Sequence, residues 1–341
     1  MHTLCHRLFA LTLGAVISGC GLQVYDHRPA AQRVSADAQP PLEPEPDPSA
    51  PPTPGVDAAP GVDAAPGVDV AAPRDGASPS TGGPGVTIAG RFVPKARAIV
   101  FLHLGHSNMA GRATGPADLK PFFYDTDPHL VTYAGGGFQL AKEPTAPDNK
   151  PGQAAGPGMA ILRTAQMVAP PDAFLISIGH GHSGSYEGYC ASFRKGALLY
   201  DVVMGPALEL KGRVTFAAIM TMFGQSEHNA TAAQQKMFID CLAGVAADMR
   251  ADLGEPALPY IVGGYEMGIS RPDIAPSSPF ARPIIAQLEM VPGRVTTSAL
   301  IATDGFPMED DHHFNLAGHK MWAAAGIALL VDHGWAPWAN H

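Results

Sequence analysis

Four short polar segments in this sequence hold the residue types that acyl transfer requires. Gly105-His106-Ser107-Asn108-Met109-Ala110-Gly111-Arg112 presents a serine hydroxyl in a tight turn, a candidate nucleophile. Gly179-His180-Gly181-His182-Ser183-Gly184-Ser185 is glycine-rich, so its backbone N–H groups can be aimed at developing negative charge. Gly224-Gln225-Ser226-Glu227-His228-Asn229 adds a side-chain amide and a carboxylate. Asp310-Asp311-His312-His313-Phe314-Asn315 supplies an imidazole and, three residues ahead of it, a carboxylate able to fix its tautomer. Each segment has a plainer reading alone: a Gly-x-Ser turn is usually only a turn, and an Asp before a His often caps a helix. Their weight lies in occurring together as hydroxyl, base, orienting acid and oxyanion donors.

Such parts are useful only if the chain brings them to one place. The apolar runs Ala98–Leu104, Ala173–Ile178, Val214–Phe223, Tyr260–Gly264 and Thr297–Thr303 are short and rich in β-branched residues, as buried strands are. Between them lie helical patterns: Met237, Cys241, Val245 and Met249 at four-residue steps, and Leu316 through Val331. Strands alternating with helices predict an α/β fold with a central parallel sheet of about five or six strands, covered on both faces. Ligand crevices in such sheets lie beyond the carboxyl ends of the strands. The four polar segments come after strands, so they should share one rim.

Composition divides the 341 residues into three stretches. Residues 1–20 have a weakly positive start, an apolar stretch Leu8 to Ile17 and then Ser18-Gly19-Cys20, the pattern of a secretory signal peptide. An uncleaved anchor fits less well, because about ten apolar residues cross only half of a ~30 Å hydrocarbon core. Ile17-Ser18-Gly19-Cys20 also resembles a bacterial lipobox, which makes Cys20 the expected lipidation site and membrane attachment through a lipid anchor the expected localisation, in the cell envelope. If the lipobox is not used, the product is secreted. Residues 21–91 are rich in Pro, Ala, Asp and Gly, and from Asp26 to Arg91 hold no Phe, Tyr or Trp. Gly55-Val56-Asp57-Ala58-Ala59-Pro60 recurs at Gly61 to Pro66 and loosely to Pro73, a polar period that reads as a disordered spacer. Residues 92–341 carry the remaining aromatics and are expected to form the catalytic-size domain.

With 31 acidic against 22 basic residues, a net charge of −9 and no basic stripe, a nucleic-acid partner is not expected. Cys190 and Cys241 are the cysteines of the folded part; an exported compartment permits them to pair, and two buried free thiols are the alternative.

At the four segments the sequence resembles the sialate O-acetylesterase and acetylxylan esterase branch of the SGNH (GDSL-like) hydrolases, carbohydrate esterase family six. The family's opening Gly-Gln-Ser-Asn-Met-x-Gly-Arg is matched at Gly105 to Arg112 except that His106 replaces Gln. Lys142-Glu143-Pro144 and Gly156-Pro157-Gly158-Met159 look like further landmarks, and the closing Asp-x-x-His is intact at Asp310 to His313. Gly-Gly-Thr appears as Ser183-Gly184-Ser185 and Gln-Gly-Glu as Gln225-Ser226-Glu227. A Ser in place of Gly is harmless only where φ is negative. The resemblance implies a flavodoxin-like three-layer α/β/α sandwich that removes acetyl groups from carbohydrate hydroxyls with no metal or other cofactor. It implies Ser107 as nucleophile, His313 as base and Asp310 as the acid that orients it. Around the oxyanion and substrate it groups Gly184, Gln225, Glu227 and Asn108, with Glu227 bracing loops or supporting the histidine and Asn108 bracing the nucleophile turn.

Two other functions compete. His103, His106, His180, His182, His228, His312 and His313 lie on or beside the expected rim, as a metallohydrolase would require, although no His-Glu-x-x-His helix is present. A sugar-binding lipoprotein on a catalytically impaired version of the same fold is the other, since a fold does not guarantee activity.

Overall fold

The computed structural model describes residues 83–148, 152–182, 190–227, 231–263 and 281–339. Its first element is a hairpin of β1 (Gly85–Ile88) and β2 (Arg91–Pro94), which turns through Ala89 and Gly90 at φ 48° and 77°. Two central residues with positive φ make the tight turn that matches strand twist. Val86, Ile88 and Val93 are buried in the same core as Val100 and Leu102. The boundary expected between residues 91 and 92 therefore falls inside this hairpin. Lack of aromatics extended the spacer reading over β1, whose Val86-x-Ile88 alternation is short but fully covered. Signal segment, lipobox and repeat lie outside the described residues.

Among the described residues the main sheet has seven strands. They are β3 (Ala98–Gly105), β4 (Leu130–Ala134), β5 (Gly137–Leu140), β6 (Phe174–Gly181), β7 (Thr215–Met222), β8 (Tyr260–Gly263) and β9 (Ser298–Ile301), in the order β5-β4-β6-β3-β7-β8-β9. All pairings are parallel except β4 with β5 at one edge. That hairpin is the excess over the expected strand number; its turn is Gly135-Gly136, both at positive φ, within a stretch too short and mixed to read as strand from pattern.

β3 is buried along all eight residues. Val100, Leu102 and Leu104 enter one core and Ile99 and Phe101 the other, because successive side chains leave opposite faces of a strand. α1 (Ser107–Ala110), α2 (Lys120–Tyr124) and α3 (Gly158–Gln166) contribute to the second core. α4 (Tyr200–Leu210) belongs to the first, and α5 (Ala232–Lys236) leads into α6 (Phe238–Leu253), which joins α4 there with α7 (Arg282–Glu289) and α8 (Val291–Arg294). α9 (Leu316–Asp332) packs with α3 in the second. The result is the expected α/β/α sandwich, with one helical layer on each face.

The stripe on α6 starts one residue later than its spacing suggested. Met237 is 62% exposed at the helix N-cap, while Phe238, Leu242, Val245, Met249 and Leu253 are buried. Cys190 and Cys241 form a disulfide that ties the chain after β6 to α6. No helix among the described residues is long and apolar enough to cross a membrane.

At the amino edge of the sheet, buried Arg250 donates to the carbonyls of Leu258 (2.8 Å), Thr296 (2.9 Å) and Thr297 (3.0 Å), holding the entries to β8 and β9. Arg250→Met removes the side-chain donor from all three, leaving the Thr297 carbonyl only its bond from the Tyr260 N–H, and urea titration should show a loss of about 2–4 kcal/mol. Activity per folded molecule should be unchanged, because the rim lies at the opposite end of the strands.

Candidate active site

β3, β6 and β7 end in register: Gly105 pairs with Gly181 on one side and Met222 on the other. The turns that leave these three strands therefore start along one line. A Cβ on Gly105 would sit 2.3 Å from the Met222 carbonyl, so only glycine lets the chain turn here against β7. Immediately after, the His106 N–H donates to that same carbonyl at 3.1 Å. The Met109 and Ala110 N–H groups close α1 on the His106 carbonyl. Ser107 is thereby the first residue of a short helix, where the backbone N–H has no intrahelical partner.

Ser107 Oγ lies 2.9 Å from His313 Nε2, and His313 Nδ1 lies 2.7 Å from Asp310 Oδ2. The other Asp310 oxygen accepts the N–H groups of His312 (2.9 Å) and His313 (2.7 Å). With Nδ1–H donating to the carboxylate, Nε2 faces the serine as an acceptor. Burial pushes the His313 imidazole below its ordinary 6.5, against the opposing pull of Asp310. Burial also works to raise the Asp310 carboxyl, but the hydrogen bonds from His313 and the two backbone N–H groups outweigh it and hold it below 3.8. The structure thus brings together the serine, histidine and aspartate singled out in the sequence.

Asn108 is fully buried and joins the two halves of this site. Its Nδ2 donates to the His312 carbonyl (2.9 Å) and its Oδ1 accepts from the Phe314 N–H (2.8 Å). Both ends of the amide are used on the histidine loop, so Asn108 ties the nucleophile turn to the loop that carries the base. Glu309 adds a second tie, accepting from the Thr114 N–H (3.2 Å), the Gly115 N–H (3.3 Å) and the Thr114 hydroxyl. No pattern in the residues signals this link, because its partners lie in a long segment without periodicity.

On the other side of the rim, Gly224 has φ 118° and needs to be glycine, whereas Ser226 is not among the described non-glycine residues with positive φ. The Ser at that family Gly is therefore free of backbone strain. Gln225 is 6% exposed, and neither atom of its amide has a hydrogen-bond partner among the described residues. Glu227 does not reach His313; its oxygens accept the N–H groups of Cys190 and Gly224, both at 2.9 Å, and lie 3.4 Å from His106 Nε2. Gly184, Ser183 and His228 lie outside the described residues.

Two landmarks that are separate in the sequence form one structure. The Glu143 carboxylate is buried and accepts N–H groups from Thr145 (3.0 Å), Gly156 (3.2 Å) and Met159 (2.7 Å), which caps α3. Burial pushes its carboxyl up to about 7, with those three donors pulling the other way. Nearby, Arg112 pairs with buried Asp148 at 2.9 Å, and the Gly181 N–H donates to the Ala146 carbonyl, so residues 143–148 are fixed against the end of β6 and the chain after α1.

The six described histidines of this set do not gather at a single point. His103 is a core residue bonded to Ser177 (2.5 Å) and facing Met109, with burial pulling it down to about 4. His106 faces Glu227 and Phe223, while His180 and His182 belong to a different strand end. Among the described residues the one group able to gather three ligand atoms is Asp310, His312 and His313, whose members are already engaged: Asp310 with His313, and His312 with Asp311 at 2.5 Å. Sequence reasoning also passed over His319, wholly buried on α9 beside Phe314 and pushed down to about 3 by burial.

The family described as carbohydrate esterase, sialic acid-specific acetylesterase matches residues 97–325. No curated protein matches the chain. Among solved structures, a protein from Arabidopsis thaliana superposes with TM-score 0.57 at 16% identity, over 70% of this chain and 98% of its own. NanS gives 0.53 at 13% identity, over 71% and 98%. A carbohydrate acetylesterase from Xanthomonas citri gives 0.50 at 17% identity, over 69% and 57%. These likenesses show a shared fold, and the sequence match over the main sheet and over Ser107, Asp310 and His313 goes further: the chain belongs to the sialic acid-specific acetylesterase family of carbohydrate esterases.

Proposed function

We propose that this protein hydrolyses acetyl esters of carbohydrate hydroxyls through an acetyl-enzyme on Ser107. The observation that carries this reading is the continuous line of hydrogen bonds from Asp310 through His313 to Ser107. Ser107 Oγ attacks the acetyl carbonyl while its proton passes to His313 Nε2. The tetrahedral oxyanion is met by the Ser107 backbone N–H and by Gln225, whose buried amide is unengaged among the described residues; Gly184 is the third donor by resemblance. Collapse expels the sugar oxygen, which takes the proton from His313, and water then repeats the sequence to release acetate. Asp310 holds the imidazole orientation and stabilises its cation without itself taking the proton.

Export and lipidation at Cys20 belong to the same proposal. They rest on the apolar stretch and small residues before Cys20, and the Cys190–Cys241 disulfide suits an oxidising compartment.

Hydrolysis of p-nitrophenyl acetate and of an acetylated xylo-oligosaccharide tests the chemistry. Ser107→Ala and His313→Ala should each lower kcat by about 10³-fold or more, and EDTA should leave wild-type activity unchanged. Activity retained by Ser107→Ala, or abolished by the chelator, would refute the mechanism.

Acid titration of kcat/KM reports His313. Since the base form reacts and burial holds its pKa below 6.5, activity should fall on acidification with a midpoint under 6.5. A midpoint above that value would contradict the site described.

For Asn108, alanine removes both ties, and aspartate keeps the acceptor for Phe314 while setting a carboxylate against the His312 carbonyl. Both variants should lose about 10- to 100-fold in kcat, as expected when a catalytic group shifts by about 1 Å. Wild-type turnover in folded Asn108→Asp would show that the bracket does not position the base.

A further inference from the structure

Glu227 and the disulfide occupy one place in the fold. Its carboxylate, 4% exposed, takes the Cys190 N–H on one oxygen and the Gly224 N–H on the other. The first oxygen also lies 3.4 Å from Nε2 of His106, the residue before the nucleophile. One side chain therefore touches three separate segments: the turn after β3, the turn after β7, and the chain at Cys190. Phe223 repeats the connection, packing edge-on against His106 (5.1 Å) and against Phe193 of the Cys190 turn (5.2 Å).

Cys190 is buried and opens a short helical turn, Cys190–Phe193. A cavity of about 310 Å³ opens beside it, lined in part by Cys190, Cys241, Glu227, Met237 and Phe238. The disulfide to Cys241 is the covalent hold on the residue that meets Glu227, and the Arg194–Asp248 pair (2.6 Å) ties the same turn to α6. A carboxylate is suited to this position because it only accepts, and two converging N–H groups leave no room for a donor.

We infer that the Cys190–Cys241 disulfide and Glu227 form one positioning clamp, anchored on α6, that sets the Gly224–Gln225 turn at working distance from Ser107. The inference rests on the esterase reading, in which Gln225 meets the oxyanion. Glu227 and the disulfide touch no substrate; they act through the two turns.

The test uses the full chain as wild type, Cys190→Ser/Cys241→Ser, Glu227→Gln and the combination, each assayed well below its unfolding midpoint. Removing the disulfide should lower kcat on p-nitrophenyl acetate by about 10- to 100-fold while KM stays within about threefold. Glu227→Gln should act alike, and the combination should be no worse than Glu227→Gln alone, since both changes release the same contact. Native-state hydrogen exchange should show faster exchange of the Gly224 amide in each variant. Wild-type kcat in the folded disulfide-free protein, additive losses, or unchanged Gly224 protection would overturn the clamp. If the wild type hydrolyses no acetyl ester, the esterase reading fails, while the exchange measurement still decides whether the clamp exists.

Discussion

Ser107 and His313 are 206 residues apart in the chain, and a single buried amide accounts for much of their meeting. Asn108 spends its donor and its acceptor on backbone groups either side of His313. Because the amide is shut away from water, leaving either end unpaired costs about 1–3 kcal/mol, more than a surface contact would. That asymmetry makes the bracket a strict constraint. It is possible only because β3 stops at a glycine tight against β7, which sends the next residues into a helical turn with Asn108 pointing across to the loop before α9.

The rest of the rim is held by similar polar matching between separate segments. Glu143 meets three N–H groups at the start of α3, Glu309 meets Thr114 and Gly115, and Arg112 meets Asp148. Each carboxylate holds a loop that has no regular structure of its own. The rim is thus made of irregular segments fixed by charge-assisted bonds, while the strands beneath supply rigidity through their apolar packing.

How much of this could be read in the sequence depends on range. β3, β6 and β7 were legible because Ala98–Leu104, Ala173–Ile178 and Val214–Phe223 are nearly unbroken apolar runs, and a strand buried on both faces demands such a run. The Ser107 and Asp310–His313 segments were legible because their chemistry is local. The β1–β2 and β4–β5 hairpins were missed, since their short strands mix polar with apolar residues (Thr87, Arg91, Thr132, Gln139), whereas the equally short β8 and β9 lie in more continuously apolar runs. The partners of Asn108, Glu143 and Glu309 were also beyond reach: a carboxylate or amide that bonds backbone N–H groups of another segment leaves no trace in the identity of its partners. The resemblance marked Lys142-Glu143-Pro144 and Gly156-Pro157-Gly158-Met159 as two landmarks, but nothing in the residues said that one carboxylate joins them.

Asp310 has a further consequence. Its two oxygens bind the His313 ring, the His313 N–H and the His312 N–H, all within the next three residues. Acid and base are therefore a single four-residue piece whose internal geometry comes from local backbone, whatever happens elsewhere in the protein. One coordinate remains adjustable, the approach of that piece to the serine, and Asn108 and Glu309 are the two fasteners that set it. Drift in distant packing can move the piece along that coordinate but cannot separate the histidine from its aspartate, so the site degrades by losing reach before it loses its proton acceptor.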